Sequence, residues 1–131
     1  MKKLLLIAIM LLTLGVANAQ KVASIESGGK LKICNLNSSN QKTNCFSTEN
    51  QGVALASVGN SKVAILYQTG QLKVCDLDER NYKTNCSLIE SSGVSDVQLS
   101  GDRRIIITYD NGRKKACDID SSNRKTNCSN L

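Results

Sequence analysis

Short apolar runs alternate with polar residues along most of the chain, and small or polar residues separate the runs. Residues 62–67 form an almost continuous apolar run, which is typical of a buried strand. Residues 71–77 alternate between apolar and polar positions, which indicates a strand with one buried face. Together with the runs over 53–58 and 83–89, they predict four short strands joined by turns of Gly, Asn, Asp and Ser.

This four-strand pattern recurs along the chain. Alignment of the cysteines sets three copies 41 and then 42 residues apart, a period typical of repeat architectures. The last copy predicts strands over 94–99, 104–109, 114–119 and 125–129, with the hairpin sequence Asp110-Asn111-Gly112 between the second and third. In the first copy, the positions of the first strand fall in the N-terminal apolar segment. The sequence therefore predicts a single all-β domain over residues 20–131 with eleven strands, in units of about 20–52, 53–93 and 94–131.

All six cysteines lie in the repeat, and ten residues separate the two in each copy. Six cysteines allow many pairings, but equivalent units are expected to close in equivalent ways. This predicts the disulfides Cys34–Cys45, Cys75–Cys86 and Cys117–Cys128. Metal ligation is the competing interpretation. Because the chain has no histidine and no Cys-x-x-Cys pair, no metal or other cofactor is expected.

The segment between paired cysteines carries a turn signal. Its second turn residue is Asn in each copy, and Asn tolerates positive φ best among residues other than Gly. A two-residue turn at Arg80-Asn81 would place Cys75 directly opposite Cys86. A type I turn with a bulge at Asn81 would shift the register by one residue, and the sequence leaves both open. The positions that coincide in the three copies include Lys21, Lys62 and Arg104, and also Asn40, Asn81 and Asn123.

Residues 1–19 have the pattern of a secretory signal peptide. Two lysines precede an apolar run over 4–16, which is too short to span a bilayer, and Ala17-Asn18-Ala19 is a typical cleavage site. A retained N-terminal anchor is the alternative. Cleavage before Gln20 would leave 15 basic and 11 acidic residues, a net charge of +4. We therefore expect export to the periplasm or the cell exterior, an oxidising setting that suits the cysteines.

Parts of the units resemble blades of WD-repeat β-propellers. The sequence over 109–119, Tyr-Asp-Asn-Gly-Arg-Lys-Lys-Ala-Cys-Asp-Ile, is similar to the tight turn and third strand of such a blade. So is the sequence over 70–77, Gly-Gln-Leu-Lys-Val-Cys-Asp-Leu. Cys75-Asp76 and Cys117-Asp118 stand at the positions of the family's Trp-Asp pair. The family's Gly-His dipeptide is absent because the chain has no histidine.

The resemblance implies tandem four-stranded antiparallel meander repeats that are β-propeller-blade-like. Three blades are too few to close a propeller, so such a chain would assemble with copies of itself or remain an open arc. A β-trefoil is the alternative fold, because it also builds one closed domain from three units of similar length. Neither fold specifies a function.

The repeated sequence Asn-x-Lys-Thr-Asn-Cys supplies the first candidate binding site. It places polar side chains at equivalent positions of the three units: Lys42, Asn44, Lys83, Asn85, Lys125 and Asn127. Amide groups suit sugar hydroxyls, and ammonium groups suit carboxylates or phosphates. Three similar sites for glycans or anionic polymers are one interpretation. The other is that turn geometry and disulfide closure require these residues.

A basic patch in the third unit is the second candidate site. It contains Arg104, Arg113, Lys114 and Lys115. Lys114 occupies the position of Leu31 and Leu72 in the other units. Such a patch would suit an anionic surface, or it would protect an exposed sheet edge from pairing with other chains. Nucleic acid is not expected as a partner, because aromatic residues for base stacking are nearly missing.

No catalytic constellation occurs in the sequence, which lacks histidine, a Gly-x-Ser-x-Gly motif and a phosphate-binding loop. We expect an exported, non-enzymatic binding module that recognises glycans or anionic surface polymers through several equivalent sites. The alternative is a small secreted inhibitor or structural protein that docks one protein partner. The chain is not expected to be an integral membrane protein, and assembly into a homo-oligomer is one way to complete an open arc.

Overall fold

A computed structural model of the chain describes residues 20–131, which form eleven β-strands and no helix. The first sheet contains β1 (Gln20–Glu26), β2 (Lys30–Leu36) and β3 (Lys42–Glu49). The second contains β4 (Val53–Val58), β5 (Lys62–Tyr67), β6 (Leu72–Leu77) and β7 (Lys83–Glu90). The third contains β8 (Val94–Ser100), β9 (Arg104–Tyr109), β10 (Lys114–Ile119) and β11 (Lys125–Asn130). The predicted signal peptide and its cleavage site lie outside the described residues.

Each sheet is an antiparallel meander in which consecutive strands are neighbours. The strands follow the predicted runs closely, because alternating apolar positions and turn residues are local properties of the sequence. The prediction of tandem meander units is therefore confirmed. The sheets formed by residues 20–131 do not close into a barrel, so the alternative β-trefoil is not formed.

The core lies in two layers, one on each side of the middle sheet. Val63 and Ile65 of β5 pack in the layer shared with the first sheet. Ala64 and Leu66, on the opposite face of the same strand, pack in the layer shared with the third sheet. Because both faces of the middle sheet are covered, the run over 62–67 is apolar at nearly every position.

The third sheet has one covered and one uncovered face. Ile105 and Ile107 of β9 are completely buried against the middle sheet. Ile106 and Thr108, on the other face, are only partly buried, and Lys114 of β10 lies opposite Thr108 with its side chain exposed. Polar side chains therefore replace apolar ones where no further sheet of the described chain covers β9 and β10.

Of the two turn types that the sequence left open for the cysteine hairpins, the structure has the type I turn with a bulge. In the middle unit the Asn81 N–H donates to the Asp78 carbonyl (3.0 Å), and the Asp78 N–H donates to the Tyr82 carbonyl (3.1 Å). Asn81 has a φ of 67°. This is a type I turn followed by a bulge at Asn81. The turn asparagines of the other two units have the same backbone conformation.

A second bulge, which was not predicted from the sequence, follows each turn. Asn85 has a φ of 52°, and the pairing of β6 with β7 shifts register between Val74 and Asp76. The shift returns Cys75 to a position opposite Cys86, with their Cα atoms 4.0 Å apart. Each unit therefore uses two left-handed asparagines, one to turn the chain and one to align its cysteines.

All three predicted disulfides are present: Cys34–Cys45, Cys75–Cys86 and Cys117–Cys128. In each, the first cysteine is buried on the strand next to the outer strand, and the second lies exposed on the outer strand itself. The bond therefore attaches the least covered strand of each unit to the core. The three disulfides are consistent with an oxidising environment.

Candidate functional site

The most densely hydrogen-bonded polar clusters lie where one unit meets the next. Asn81, in the turn of the second unit, is completely buried and accepts a hydrogen bond from Lys21 Nζ (2.7 Å). Its Nδ2 donates to the Asn44 carbonyl (2.9 Å) and to Asn35 Oδ1 (3.2 Å). Lys21, Asn35 and Asn44 of the first unit thus form a binding site for the turn of the second, which we call turn-binding site 1.

Turn-binding site 2 consists of Lys62, Asp76 and Asn85 of the second unit, and it holds the buried Asn123 of the third. Asn123 Nδ2 donates to the Asn85 carbonyl (2.7 Å) and to Asp76 Oδ1 (3.0 Å). Lys62 Nζ donates to Asn123 and also to Asp76 (2.7 Å). Burial alone would raise the pKa of Asp76. Hydrogen bonds from the side chains of Lys62, Asn85 and Asn123 outweigh burial and hold this pKa below its usual value.

The two turn-binding sites differ at a further position, and the turns differ with them. In site 2, Ser87 Oγ donates to the Ser122 carbonyl (2.5 Å). The equivalent of Ser87 in the first unit is Phe46, whose ring stacks on Tyr82 with the ring centroids 4.1 Å apart. Each site is therefore matched to the sequence of the turn that it holds.

A glutamate held by a tyrosine and a lysine forms a second kind of contact between units. Glu49, at the end of β3, accepts a hydrogen bond from the Tyr67 hydroxyl and forms an ion pair with Lys83 Nζ at 2.8 Å. Glu90 makes the equivalent contacts with the third unit, including an ion pair with Lys125 Nζ at 2.6 Å. The same polar contact thus recurs at both junctions.

These contacts change the pKa values of the groups involved. Burial alone would raise the pKa of Glu49 and of Glu90, but hydrogen bonds from the lysine and the tyrosine outweigh it, so both pKa values are lowered. Burial, and then the hydrogen bond to the carboxylate, raise the pKa of Tyr67 and of Tyr109 above the usual 10.0. The carboxylates therefore stay ionised and the phenols neutral across the neutral range.

The three lysines of the predicted threefold site have unequal surroundings. Lys83 and Lys125 are ion-paired with a glutamate of the preceding unit, whereas Lys42 is exposed. The lysines thus do not present three identical surfaces.

The three asparagines of that predicted site lie at the second bulges. The carbonyls of Asn44 and Asn85 accept hydrogen bonds from a buried turn asparagine. Asn127 is exposed, and its Nδ2 donates to Asp118 Oδ2 (3.3 Å). The contacts of the turn asparagines and of the glutamates were not predicted from the sequence. The signal for the contacts of the turn asparagines was the recurrence of Lys21, Lys62 and Arg104 together with Asn40, Asn81 and Asn123.

An open cleft of about 430 Å³ lies in the third unit. Its lining consists of Gly93, Tyr109, Asp110, Asn111, Arg113, Lys115 and Asn130. Arg113 and Lys115 come from the predicted basic patch, and Lys115 Nζ lies 5.7 Å from the centre of the Tyr109 ring. The cleft therefore combines two cations, one carboxylate (Asp110), two amides and one aromatic ring.

The other two residues of the predicted basic patch do not line this cleft. Arg104 forms an ion pair with Asp118 at 3.6 Å, and both side chains are about half exposed (54% and 47%). Lys114 lies on the uncovered face of the third sheet. The structure thus divides the predicted patch into a cleft pair and an outer-face pair.

The fold and these sites define a repeat protein of stacked, disulfide-closed β-meander units. Comparison of the chain with protein-family models and with curated proteins found no match. Within residues 20–131, no three His, Cys, Asp or Glu side chains converge into a group that could hold a metal ion. The described part of the chain also has no helix with the length and apolar character needed to cross a membrane.

Proposed function

We propose that the chain is an exported, non-enzymatic binding module that holds a segment of an anionic glycan or other anionic surface polymer in the cleft of the third unit. The observation that carries the proposal is the convergence of Arg113 and Lys115 with the amides of Asn111 and Asn130 around the Tyr109 ring. Cations recognise carboxylate, sulfate or phosphate groups, and amides bond to sugar hydroxyls.

The cleft lining carries two cations, Arg113 and Lys115, and one exposed carboxylate, Asp110, so its net positive charge favours an anionic ligand. Glu90 lies near the cleft, but its carboxylate is already held by Lys125 and Tyr109. Within residues 20–131, neither Arg113 nor Lys115 forms an ion pair. Their charges are therefore available to a ligand.

The open shape of the cleft favours a chain-like ligand over a small molecule, because most of a small ligand would remain in contact with water. Recognition through three equivalent lysine sites has less support, since Lys83 and Lys125 are engaged between units. A polymer with many charged groups would still gain avidity by binding several copies of the protein.

A matched pair of variants tests this proposal. Arg113→Gln with Lys115→Gln removes two charges from the cleft, and Lys30→Gln with Lys42→Gln removes two charges from the first unit. Retention on immobilised dextran sulfate and polygalacturonate, with neutral dextran as the reference, is measured at about 0.15 M salt, where distant charges are screened. We expect the cleft variant to lose about tenfold or more in affinity, and the first-unit variant to bind like the unmodified protein. Equal losses in both variants, or no retention of the unmodified protein by either anionic polymer, would contradict the proposal.

The docking of one protein partner is the second candidate function, and a specific surface supports it. Tyr82 is 44% exposed, stacks on Phe46 and lines a small cleft with Arg80 and Asn44. Aromatic residues and arginine are enriched where protein partners bind tightly. This function predicts no preference for anionic over neutral polymers, so the same retention experiment separates the two.

A further inference from the structure

The third unit retains the side chains of a turn-binding site. Arg104, Asp118 and Asn127 occupy the positions that Lys62, Asp76 and Asn85 occupy in site 2. Within residues 20–131, no turn lies in this third site, and its ion pair is longer, at 3.6 Å compared with 2.7 Å in site 2. We call Arg104, Asp118, Asn127 and the adjacent Ser129 the free site.

The first unit has the complementary element. Asn40 has the same left-handed conformation as the buried turn asparagines, with a φ of 59°, and the same turn hydrogen bond from its N–H to the Asn37 carbonyl (3.0 Å). Its side chain is nevertheless exposed. We call Ser38-Ser39-Asn40 the free turn.

The free turn and the free site match each other in sequence. Site 2 contains Asp76 and Ser87 and binds the turn Ser121-Ser122-Asn123. The free site also has Asp and Ser at these positions, Asp118 and Ser129, and the free turn is also Ser-Ser-Asn. Site 1 differs, because it has Asn35 and Phe46 there and binds a turn that is followed by Tyr82. The free pair thus reproduces the junction between the second and third units.

We infer that the free turn of one copy of the chain binds the free site of a second copy, so that two copies associate head to tail. In this junction the side chain of Asn40 is buried between Asp118 and the Asn127 carbonyl, as Asn123 is in site 2. Arg104 donates to the Asn40 side-chain oxygen in place of Lys62. Arg suits this position, since its several N–H groups reach both an amide oxygen and a carboxylate.

The outer faces of the first and third sheets, which we call the free faces, differ in a second way that favours the same partner. At the first internal junction Leu31 and Tyr67 belong to one apolar cluster, and at the second junction Leu72 and Tyr109 belong to another. On the free faces the leucine position is Lys114 and the tyrosine position is Glu26, which also forms a half-exposed ion pair with Lys32 of its own copy at 3.4 Å. An apolar pair has become a pair of opposite charges, which favours contact between the two free faces over contact of either face with itself.

Head-to-tail contact of two copies produces two identical junctions when the ring closes. The closed dimer would contain six stacked units, since each copy contributes three sheets. Six lies within the usual range of about four to eight blades for β-propellers.

Sedimentation velocity of the oxidised protein over micromolar concentrations tests the association. We expect a monomer–dimer equilibrium that Asn40→Gly weakens by about tenfold or more, because Gly keeps the left-handed turn but removes the inserted side chain. A protein that remains monomeric at every concentration would overturn the inference. So would an unchanged dimer in the Asn40→Gly variant.

A charge exchange tests the head-to-tail geometry itself. Lys114→Glu alone and Glu26→Lys alone each place like charges at both junctions of a homodimer, so each variant is expected to dimerise more weakly than the unmodified protein. An equal mixture of the two variants restores opposite charges at both junctions, so the mixture should dimerise like the unmodified protein. Failure of the mixture to recover while both variants remain folded by circular dichroism would refute the head-to-tail arrangement.

Discussion

Asparagine carries two separate properties at the turns of this protein. Its backbone adopts positive φ with less strain than most residues, and its amide both donates and accepts hydrogen bonds. Within a single copy of the chain, Asn40 contributes only its tolerance of positive φ, because its side chain is exposed. Asn81 and Asn123 use both, because their amides are completely buried and fully bonded. The same residue type in the same conformation therefore differs in its contribution to stability.

Replacement of the turn asparagines by glycine separates these properties. Asn123→Gly keeps the left-handed conformation but leaves the partners Asp76 and Lys62 without the buried amide, and we expect a loss of about 1–3 kcal/mol in the free energy of unfolding. Asn40→Gly should change stability by about 0.5 kcal/mol or less, because the easier turn offsets the greater freedom of the unfolded chain. Urea denaturation at a protein concentration low enough to keep the monomer measures both. Equal losses would show that the buried amides contribute nothing beyond the turn.

The cysteine hairpin is the element that each unit closes with a disulfide. Two bulges compensate each other in its outer strand, one at the turn asparagine and one at the asparagine before the second cysteine. The pair of bulges leaves the cysteines opposite each other while the turn remains a type I turn. The disulfide then holds an outer strand that is largely exposed and buries little apolar surface of its own.

Removal of one disulfide tests how much the outer strand depends on it. Cys75→Ala with Cys86→Ala is expected to lower the free energy of unfolding by about 2–3 kcal/mol, chiefly because the unfolded chain becomes freer. Urea denaturation measures the loss, and the unmodified protein after reduction should show a loss in the same direction. A loss of about 0.5 kcal/mol or less would be within the range of ordinary surface substitutions and would show that strand pairing alone holds the hairpin.

At the scale of the whole molecule, three sheets stack through the same set of contacts used twice. Each junction combines an apolar layer, an inserted turn and a glutamate that is shared by a tyrosine and a lysine. Each glutamate forms an ion pair with a lysine that is far away in the chain, as Glu49 does with Lys83. Stability therefore depends on the ionisation of groups at the junctions.

The pH dependence of stability follows from these groups. The pKa of Glu49 and of Glu90 is lower in the folded chain than the usual 4.5, so their contribution is full above pH 4.5 and is lost as the pH falls through the lowered values. The pKa of Tyr67 and of Tyr109 is raised from 10.0, so their contribution is full below pH 10 and is lost as the pH rises further. We expect a plateau of thermal stability between these limits.

Glutamine variants provide the control for this prediction. Glu49→Gln with Glu90→Gln should reduce, but not abolish, the loss of stability in acid, because two groups that must be protonated are gone while Asp76, whose pKa is also lowered, remains. In the monomer, Glu26→Gln changes only a surface pair with Lys32 at 3.4 Å, so at a protein concentration too low for association it should leave the acid profile unchanged. Thermal unfolding of the unmodified protein and of both variants, followed by circular dichroism at a series of pH values, measures these effects. An unchanged acid profile in the double variant would assign the loss to other groups.

The repeat, the eleven strands and the cysteine pairs could be predicted from the sequence, because each depends on residues close together in the chain. Alternating polarity sets the strands, and turn residues set the hairpins. The two turn types remained open because residue identity does not fix the strand register. The second bulge was not predicted because the asparagine that recurs before each second cysteine also suits an ordinary strand position. The candidate lysines were found by their recurrence, but their partners were not.

Residue identity alone made Lys42, Lys83 and Lys125 equivalent, and it gave the same equivalence to Asn40, Asn81 and Asn123. Only the stacking of the sheets decided that Lys83 pairs with Glu49 while Lys42 is exposed, and that two of the three turn asparagines are buried. The physical reason is that these contacts join groups on different units. Whether a repeated side chain is buried or exposed is decided by the presence of a neighbouring unit, and a local sequence pattern contains no information about that neighbour.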